Sequence, residues 1–400
     1  MQSAVPSTPH SLGQYFTTDP DLQSAVCGFI RNRPDVILEP SVGRGDLVMA
    51  LRAYFEDSEF APEFDMYEID DTLEMLPGIE RADVVFGDFM VGEIEKKYAT
   101  IVGNPPYVRT KTGNLYIDIT EKCFRALVPG GELVFIVPSD FFKLTCASRL
   151  LSDMMREGTF TDIYHPHKEN LFAGANIDVL VYRYCKDPEL EKKVVYNGAS
   201  MHVVESRGMV VFGATAPGDA VALRESFDVL VGIVSGKEKV FKNAEFGNVD
   251  VRNAKGCDGV ERYILIDEFP TENEELNAYL LGHKSELLAR GIRKFGENNW
   301  FEMGALRNIV HVEEHKGEAC IYMYNLTRKF EIAFAGVVEP FGGGLLMIRP
   351  KTAMNAAELG VFVEYFNSSV FRGNFTYYGR FKIGQKILSD ARVPRNIFTL

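Results

Sequence analysis

A regular alternation of two patterns between Asp35 and Cys185 constrains the fold more than any other feature of this sequence. Short β-branched and aromatic runs predict seven strands: Val36–Glu39, Phe64–Glu68, Asp83–Phe86, Thr100–Gly103, Glu132–Val137, Thr161–Tyr164 and Ile177–Tyr182. Apolar residues at three- and four-residue spacing predict helices between them: Leu47–Phe55, Tyr116–Leu127 and Leu144–Met155. Together they predict a mostly parallel α/β sheet covered on both faces, with ligands bound at the carboxyl ends of its strands.

The pattern changes after Cys185. Residues 186–193 form a charged turn, and irregular strands with glycine-rich punctuation follow it. We therefore predict a first domain at 1–190, a linker or boundary region at 191–225, and a second, mixed α+β domain at 226–400.

The formal net charge of −13 is unevenly distributed along the chain. Residues 1–185 carry −12 and the remainder −1, and the last 35 residues hold six basic side chains against Asp390 alone. Proteins that bind nucleic acids usually present a basic surface, so the total charge argues against a polyanionic partner. Because the negative charge is concentrated in residues 1–185, this argument applies to the first domain only. The nearly neutral second domain remains compatible with DNA.

Other compositional features exclude several classes of protein. No run of about 18 apolar residues occurs, and the N-terminal segment lacks the pattern of a secretory signal, so we expect a cytoplasmic protein with no membrane partner. The six cysteines are scattered without a CxxC pair, which favours reduced thiols over disulfides or a zinc site.

Acidic residues and glycines stand at the predicted strand ends. The first strand runs into a two-glycine loop, Glu39-Pro-Ser-Val-Gly43-Arg-Gly45, whose glycines let a nucleotide-like ligand approach the backbone. Glu68 ends the second strand, where a carboxylate can accept hydrogen bonds from ribose hydroxyls. Asp88-Phe89 ends the third strand and combines an acceptor with an aromatic face. Each signal alone also fits an ordinary βα turn or a solvated acid.

The fourth strand ends in Asn104-Pro-Pro-Tyr107, the most specific motif in the chain. Its two prolines fix the backbone and leave carbonyl groups free to accept hydrogen bonds from a ligand. An exocyclic amine has two N–H donors, which one amide oxygen and one carbonyl would satisfy while directing the nitrogen at an electrophile.

With Gly13-Gln-Tyr-Phe-Thr17, these motifs resemble, in the same order, the S-adenosylmethionine-dependent DNA adenine-N6 methyltransferases of the gamma class, the TaqI-like group. The resemblance implies a seven-stranded Rossmann-like methyltransferase sheet, followed by a C-terminal DNA-recognition domain. It also implies direct methyl transfer to an adenine flipped out of duplex DNA, without a metal. Thr18 departs from the proline that many relatives have there.

The resemblance assigns roles to individual residues. The predicted cofactor-binding residues are Tyr15, Phe16, Thr17, Glu39, Pro40, Ser41, Gly43, Glu68, Ile69, Asp88, Phe89 and Asn104. The predicted catalytic residues, which bind the target amine or stack on its base, are Asn104, Pro105, Pro106, Tyr107 and Phe172.

The second domain is predicted to read DNA. Residues 227–237 and 300–307 resemble segments of recognition domains, and residues 371–382 interleave aromatic with cationic side chains. The predicted DNA contacts are Lys237, Trp300, Arg307, Arg372, Arg380, Lys382 and Lys386. The alternative for residues 371–382 is a core strand pair whose cationic side chains reach solvent.

Three alternatives stay open from the sequence. Enzymes that methylate a protein glutamine or an RNA guanine amine share the Asn-Pro-Pro-Tyr motif, and an idle DNA-binding protein could keep the fold. We expect a monomer without nuclease activity, either paired with a separate restriction endonuclease or solitary. His311-Val-Glu-Glu314-His315 fits a zinc-peptidase pattern, but its flanks favour a strand that enters a turn, so no metal is expected.

Overall fold

The computed structural model describes residues 13–92, 94–110, 113–168, 170–172, 176–213, 217–254, 259–291, 295–377 and 380–398. The chain divides into two compact units, which meet in sequence between Pro217 and Gly218. No helix within these ranges is long and apolar enough to cross a membrane. Five of the cysteines are free thiols, and Cys257 lies outside the described residues.

The first unit contains ten strands and four α-helices within the described residues. The strands are β1 (Val36–Glu39), β2 (Glu63–Glu68), β3 (Val84–Phe86), β4 (Tyr98–Gly103), β5 (Leu127–Pro138), β6 (Thr159–Tyr164), β7 (Val179–Cys185), β8 (Lys193–Tyr196), β9 (Ala199–Ser206) and β10 (Met209–Gly213). The helices are α1 (Pro20–Phe29), α2 (Asp46–Phe55), α3 (Leu115–Ala126) and α4 (Ser148–Glu157).

These ten strands form one sheet, in the order β10-β9-β8-β6-β7-β5-β4-β1-β2-β3. Strands β3, β2, β1, β4 and β5 are parallel, and β7 lies antiparallel between β5 and β6. The seven predicted strands are all present, and the predicted Rossmann-like sheet is confirmed.

The sheet continues beyond its seventh strand. β8 pairs in parallel with β6, and β9 and β10 add two antiparallel strands at that edge. Residues 193–213 are thus part of the sheet and not the linker predicted at 191–225. The glycine-punctuated stretch forms tight β-hairpins, with Asn197-Gly198 and Arg207-Gly208 at positive φ in the two turns.

Alternate residues of the central strands pack into two hydrophobic cores, one on each face of the sheet. Ile37, Val102 and Val134 pack with α1 and α2 on one face. Their neighbours in the chain, Leu38, Ile101 and Leu133, pack with α3 and α4 on the other. Because side chains alternate along a strand, these runs are apolar without interruption, which is the property that predicted helices on both faces.

The second unit is built from small antiparallel sheets and short helices, so the predicted α+β class is confirmed. Its strands are β11 (Ala220–Ala222), β12 (Phe227–Val231), β13 (Val249–Arg252), β14 (Val260–Tyr263), β15 (Ala319–Tyr324), β16 (Leu326–Thr327), β17 (Ala333–Val337), β18 (Leu345–Pro350), β19 (Thr376–Tyr377), β20 (Arg380–Lys382) and β21 (Arg392–Pro394). Its helices are α5 (Leu223–Ser226), α6 (Glu238–Phe241), α7 (Glu274–Gly282), α8 (Lys284–Leu288), α9 (Ile309–Glu314), α10 (Ala356–Asn367), α11 (Ser369–Gly373) and α12 (Gln385–Asp390).

A four-stranded sheet, β12-β18-β15-β17, lies at the centre of the second unit. Apolar residues of α10, including Phe362 and Phe366, pack against it and are almost fully buried. The predicted strand around His311 is wrong, because residues 309–314 form α9. The short Ile309-Val310 run resembles a strand, but it is the first turn of a helix that buries Val312.

Candidate functional site

A cleft lies in the first unit at the carboxyl ends of β1, β2, β3 and β4. Parallel strands direct their carboxyl ends to one edge of the sheet, so residues far apart in sequence meet there. The cleft is lined by Gly13, Gln14, Tyr15, Phe16, Pro40, Ser41, Gly43, Glu68, Ile69, Gly87, Asp88, Phe89, Met90, Asn104, Pro106, Leu115 and Ile119.

The segment Gly13–Thr17 forms one wall of the cleft. Gly13 has φ +64°, and a Cβ at this position would lie 2.6 Å from Val108 Cγ2, so the segment can approach the Asn-Pro-Pro-Tyr turn only through glycine. Asn104 Nδ2 donates to the Tyr15 carbonyl at 2.7 Å and to Thr17 Oγ1 at 3.0 Å. Thr17 is 3% exposed and supports the cleft from behind without lining it.

The loop after β1 lines a second side of the cleft with Pro40, Ser41 and Gly43. Gly45 has φ +98°, and a Cβ there would lie 2.5 Å from Ile79 Cγ1, so this turn into α2 requires glycine. Glu39 is buried beneath the loop, where its Oε1 accepts from the Ser41 N–H at 3.2 Å. Burial raises the pKa of the Glu39 carboxyl to about 8, because it disfavours the charged form.

Glu68 at the end of β2 is held rigidly by the backbone. Its two carboxylate oxygens accept from the Gly43 and Asp70 N–H groups, each at 2.9 Å. Asp70 in turn accepts from Gln14 Nε2 at 2.9 Å, and hydrogen bonds from Thr72 and Gln14 lower its pKa. Each carboxylate oxygen of Glu68 keeps a lone pair for a ligand, as binding to two hydroxyls requires.

Ile69 and Phe89 both line the cleft but differ in exposure. The Ile69 side chain is 52% exposed, whereas Phe89 is 7% exposed and packs edge-on against Tyr67. Asp88 is exposed, and its Oδ1 accepts from the Met90 N–H at 2.8 Å. An aliphatic side chain, an aromatic ring and a carboxylate therefore lie together where a flat, amine-bearing ring could bind.

The Asn-Pro-Pro-Tyr turn follows β4 directly. Asn104 and Pro106 line the cleft, and Pro105 is buried. The Tyr107 hydroxyl donates to Asn104 Oδ1 at 2.6 Å, so the predicted acceptor for the target amine already has a partner. Burial raises the pKa of Tyr107, which keeps its hydroxyl protonated as the donor.

Phe172 lies against the same turn. Its ring is 3% exposed, with its centroid 5.6 Å from that of Tyr15 and 6.2 Å from that of Tyr107. The Phe172 and Tyr107 rings meet at 68°, an edge-to-face contact that leaves no slot for a base between them. The structure therefore brings the predicted stacking residues together in a closed arrangement.

The sequence did not indicate every residue of the cleft. Leu115 and Ile119 stand one turn apart at the start of α3, and the sequence motifs assigned neither of them to a site. Their i, i+4 spacing matches buried and ligand-facing residues equally well, so periodicity alone could not distinguish them. Gln14 was present in a quoted motif, but its contact with Asp70 depends on chain segments 56 residues apart.

The predicted DNA contacts in the second unit differ in accessibility. Trp300 is only 3% exposed and packs edge-on against Phe269 in the core, so the prediction that it contacts DNA is wrong. Lys237 pairs with Glu286 at 2.9 Å. Arg307, Arg380, Lys382 and Lys386 are exposed, and Arg372 is half-buried.

Residues 371–382 combine both of the interpretations considered for them. Phe371, Phe375 and Phe381 are core residues, each at most 3% exposed. Arg380 and Lys382 alternate with Phe381 on β20 and point to solvent. The aromatic residues therefore hold the strand in place, and the cations remain available to a ligand.

One group of metal-ligand side chains occurs within the described ranges. Helix α9 and its C-cap bring ligand atoms of His311, Glu314 and His315 within 4.8 Å of one another. Arg349 Nε donates to His311 Nε2 at 3.1 Å and also forms ion pairs with Asp228 and Glu318. A guanidinium at this distance opposes a second cation on the same nitrogen.

The sheet order and the strand-end cleft place the protein among α/β proteins with a Rossmann-like fold. Comparisons with known proteins narrow the class further. Residues 62–172 match the model of the family described as Eco57I restriction-modification methylase. This segment includes Glu68, Asp88 and the Asn-Pro-Pro-Tyr turn. The resemblance to DNA methyltransferases that the sequence motifs indicated is thereby confirmed, at the level of a restriction-modification methylase family.

Curated relatives agree with this match. The chain is 26% identical to the Type II methyltransferase M.HincII of Haemophilus influenzae over 226 residues, 51% of this chain and 43% of that protein. It is 31% identical to M.TthHB8I of Thermus thermophilus over 176 residues, 38% of this chain and 39% of the relative. The chain thus matches less than half the length of these relatives.

A solved structure shares the fold over nearly the whole chain. The Type IIL restriction-modification enzyme MmeI, determined in complex with DNA, aligns with 94% of this chain and 64% of its own. The TM-score is 0.56 at 9% sequence identity. At this identity the likeness concerns the fold alone, and it includes both units.

Proposed function

We propose that this protein is a DNA methyltransferase that transfers a methyl group from S-adenosylmethionine to the N6 amine of an adenine flipped out of duplex DNA. The observation that carries this proposal is the Asn104-Pro-Pro-Tyr107 turn at the wall of a cleft whose other walls suit a nucleoside. The restriction-modification family match over residues 62–172 supports DNA as the substrate.

The cleft fits S-adenosylmethionine in its chemistry. Glu68, fixed by two backbone N–H groups, would accept from the ribose hydroxyls. Ile69 and Phe89 would lie on either side of the adenine, and Asp88 would accept from its amino group. The Tyr15–Thr17 segment and the loop from Glu39 to Gly43 would hold the methionine part. When bound, this cofactor supplies a sulfonium methyl group that accepts a nitrogen lone pair and leaves its bonding electrons on sulfur.

Asn104 would orient the target amine. Its Oδ1 and the Pro105 carbonyl would accept the two N–H bonds of the amine, so that the nitrogen lone pair points at the methyl carbon. The Nδ2 bonds to Tyr15 and Thr17 determine which end of the amide points to the substrate. The product nitrogen loses one proton to solvent, so the reaction requires positioning more than a strong base.

Base flipping costs a few kcal/mol, and stacking on Tyr107 and Phe172 would return about 1 to 3 kcal/mol per aromatic contact. Both rings must open from their present edge-to-face contact to admit a base. The second unit, with exposed cations at Arg307, Arg380, Lys382 and Lys386, would bind the duplex.

The test is incubation of the protein with unmethylated genomic DNA and methyl-labelled S-adenosylmethionine, followed by chromatography of the nucleosides. We expect label in N6-methyladenine. Label in N4-methylcytosine would contradict the adenine assignment, and label in added protein or RNA but not in DNA would contradict the substrate class. Sequencing with modified-base detection would give the site.

Asn104→Ala should lower transfer by at least about 100-fold, as loss of a key positioning group does, while DNA binding changes little. Asn114→Ala is the matched control, because Asn114 lies at the other end of the same connection, as the N-cap of α3, and does not line the cleft. Turnover of Asn104→Ala equal to that of the control would rule out the assigned mechanism.

A further inference from the structure

An exposed aromatic ring stands on the turn between β16 and β17. The Phe330 side chain is 73% exposed, more than any other large aromatic side chain in the described part of the chain. It follows two exposed cations, Arg328 and Lys329. A ring that is 73% exposed gains little from burial, and together with the adjacent cations it presents an aromatic face and positive charge to solvent.

Strand register places two further cations together on one face of β20, next to the strand that leads into this turn. β16 pairs antiparallel with β20, with Leu326 opposite Lys382 and Thr327 opposite Phe381. Directly opposed residues share one face of a sheet, so the Leu326 side chain, 54% exposed, lies beside Lys382. Arg380 lies two residues from Lys382 on β20 and therefore points the same way.

The Phe330 ring is also in contact with a guanidinium. Arg372 Cζ lies 4.4 Å from the ring centroid, within cation–π distance. Lys329 is held by its Nζ, which donates to the Tyr324 hydroxyl at 2.9 Å. We call Arg328, Lys329, Phe330, Arg372, Arg380 and Lys382 the basic ridge. Glu331 is the one acid in the Leu326–Glu331 segment.

We propose that the basic ridge binds duplex DNA, with its cations on phosphates and Phe330 in contact with the bases. This proposal rests on the proposed function, and it assigns the DNA contact to a turn that the sequence motifs did not include. Five cations match a polyanion, and a ring presented at the tip of a turn can stack on bases or enter a base step. An acidic protein surface would satisfy the cations but would not explain the aromatic tip.

The experiment measures binding of the full-length protein to a fluorescent duplex over a series of salt concentrations, together with methyl transfer to genomic DNA. Phe330→Ala should weaken binding by roughly 10-fold with little change in the salt slope, because stacking involves no counterion release. Arg328→Ala should reduce the slope of log affinity against log salt by about 0.9, the value for one phosphate contact.

Two exposed residues of the same unit provide matched controls. Leu281→Ala removes an apolar side chain that is 54% exposed on α7, and Lys316→Ala removes a cation that is 61% exposed beside Glu313. Both controls should bind DNA like the wild type. All four positions are at the surface, so thermal unfolding should be unchanged.

The outcomes separate the two proposals. Wild-type protein that methylates DNA, with Phe330→Ala and Arg328→Ala binding like the controls, would overturn the basic ridge alone. Wild-type protein that transfers no methyl group to DNA would overturn the proposed function. Loss of DNA affinity confined to the two ridge variants would support the inference.

Discussion

At the scale of single residues, the hydrogen bond from the Tyr107 hydroxyl to Asn104 Oδ1 is the contact that most affects the proposed chemistry. The amide oxygen cannot give its full acceptor strength to a target amine while this hydroxyl is its donor. A hydrogen bond of this kind contributes about 1 kcal/mol, so substrate binding can displace it at modest cost. The bond therefore holds Asn104 in place until the substrate arrives.

Tyr107→Phe keeps the ring and removes the hydroxyl. We expect turnover equal to or above that of the wild type, because the acceptor is then free before the substrate binds. Tyr107→Ala removes the stacking surface as well, and turnover should fall by roughly 10-fold or more. Turnover at saturating DNA distinguishes the two variants. A loss in Tyr107→Phe as large as that in Tyr107→Ala would show that the hydroxyl itself is required.

Glu39 predicts a pH dependence of stability. Its folded-state pKa of about 8 lies above its ordinary value of 4.5, so between these values the folded protein binds more protons than the unfolded chain. Stability contributed by protonated Glu39 is complete below pH 4.5 and is lost as the pH rises through 8, by at most about 1.4 kcal/mol per pH unit.

Urea unfolding of the wild type and of Glu39→Gln at pH 6 and pH 9 measures this effect. Relative to the wild type, Glu39→Gln should gain stability from pH 6 to pH 9, because its side chain is neutral at both values. Because other groups titrate identically in the two proteins, the difference between them isolates Glu39. An equal pH dependence in both proteins would contradict the raised pKa.

At the scale of elements, a buried cluster joins the ends of β6 and β7, on either side of the chain segment that contains Phe172. His165 follows β6, and its Nε2 lies 2.9 Å from Asp178 Oδ1, just before β7. His165 Nδ1 lies 2.7 Å from the Tyr196 hydroxyl on β8. The segment closed by this contact carries Phe172. Strand β8, which lies between β6 and β9 and which the sequence assigned to a linker, thus supports the candidate site.

His165→Gln should loosen the packing of Phe172 without affecting Glu68 and Asp88, which are proposed to bind the cofactor. Leaving the largely buried Asp178 without this partner costs about 1 to 3 kcal/mol. We expect the KM for DNA to rise, or kcat to fall, by at least roughly 5-fold and at most about 150-fold, the range that about 1 to 3 kcal/mol permits, while S-adenosylmethionine affinity stays within about twofold. A fluorescent base analogue at the target position would report weaker base capture. His202→Gln, on β9 of the same unit, is the matched control, and a similar loss there would indicate a general loss of stability.

Elements were predictable from the sequence where hydrophobic pattern alone decides them. The central strands are buried on both faces, so their apolar runs predicted β1 at its observed bounds. The observed strands β4 and β5 extend a few residues beyond the predicted runs. Short elements with one buried face carry less information, which is why β8–β10 were assigned to a linker and α9 to a strand. For Trp300, composition identified an aromatic residue but could not tell the core from the surface. The clustering of Glu68, Asp88 and Asn104 was predictable because parallel strands end at one edge.

At the scale of the whole molecule, the net charge of −13 and a proposed polyanionic ligand are compatible because the charge is segregated along the chain. The first unit holds most of the acid, some of it in the cleft at Glu68 and Asp88. The exposed cations Arg380 and Lys382 belong to the second unit. Since the molecule as a whole repels DNA, affinity must come from local contacts, and salt should screen those contacts strongly.

Replacing Arg380 and Lys382 together with alanine tests this conclusion. Removing one cation from a phosphate reduces the salt slope by about 0.9, so the double variant should show a slope lower by roughly 1.8 and weaker binding at low salt. The control is the double variant Arg156→Ala and Lys193→Ala, which removes the same charge from exposed, acid-paired positions of the first unit. That control should keep the wild-type slope, because a change in net charge away from the phosphates releases no counterions. Equal slopes in the two double variants would mean that affinity follows total charge and that β20 does not bind DNA.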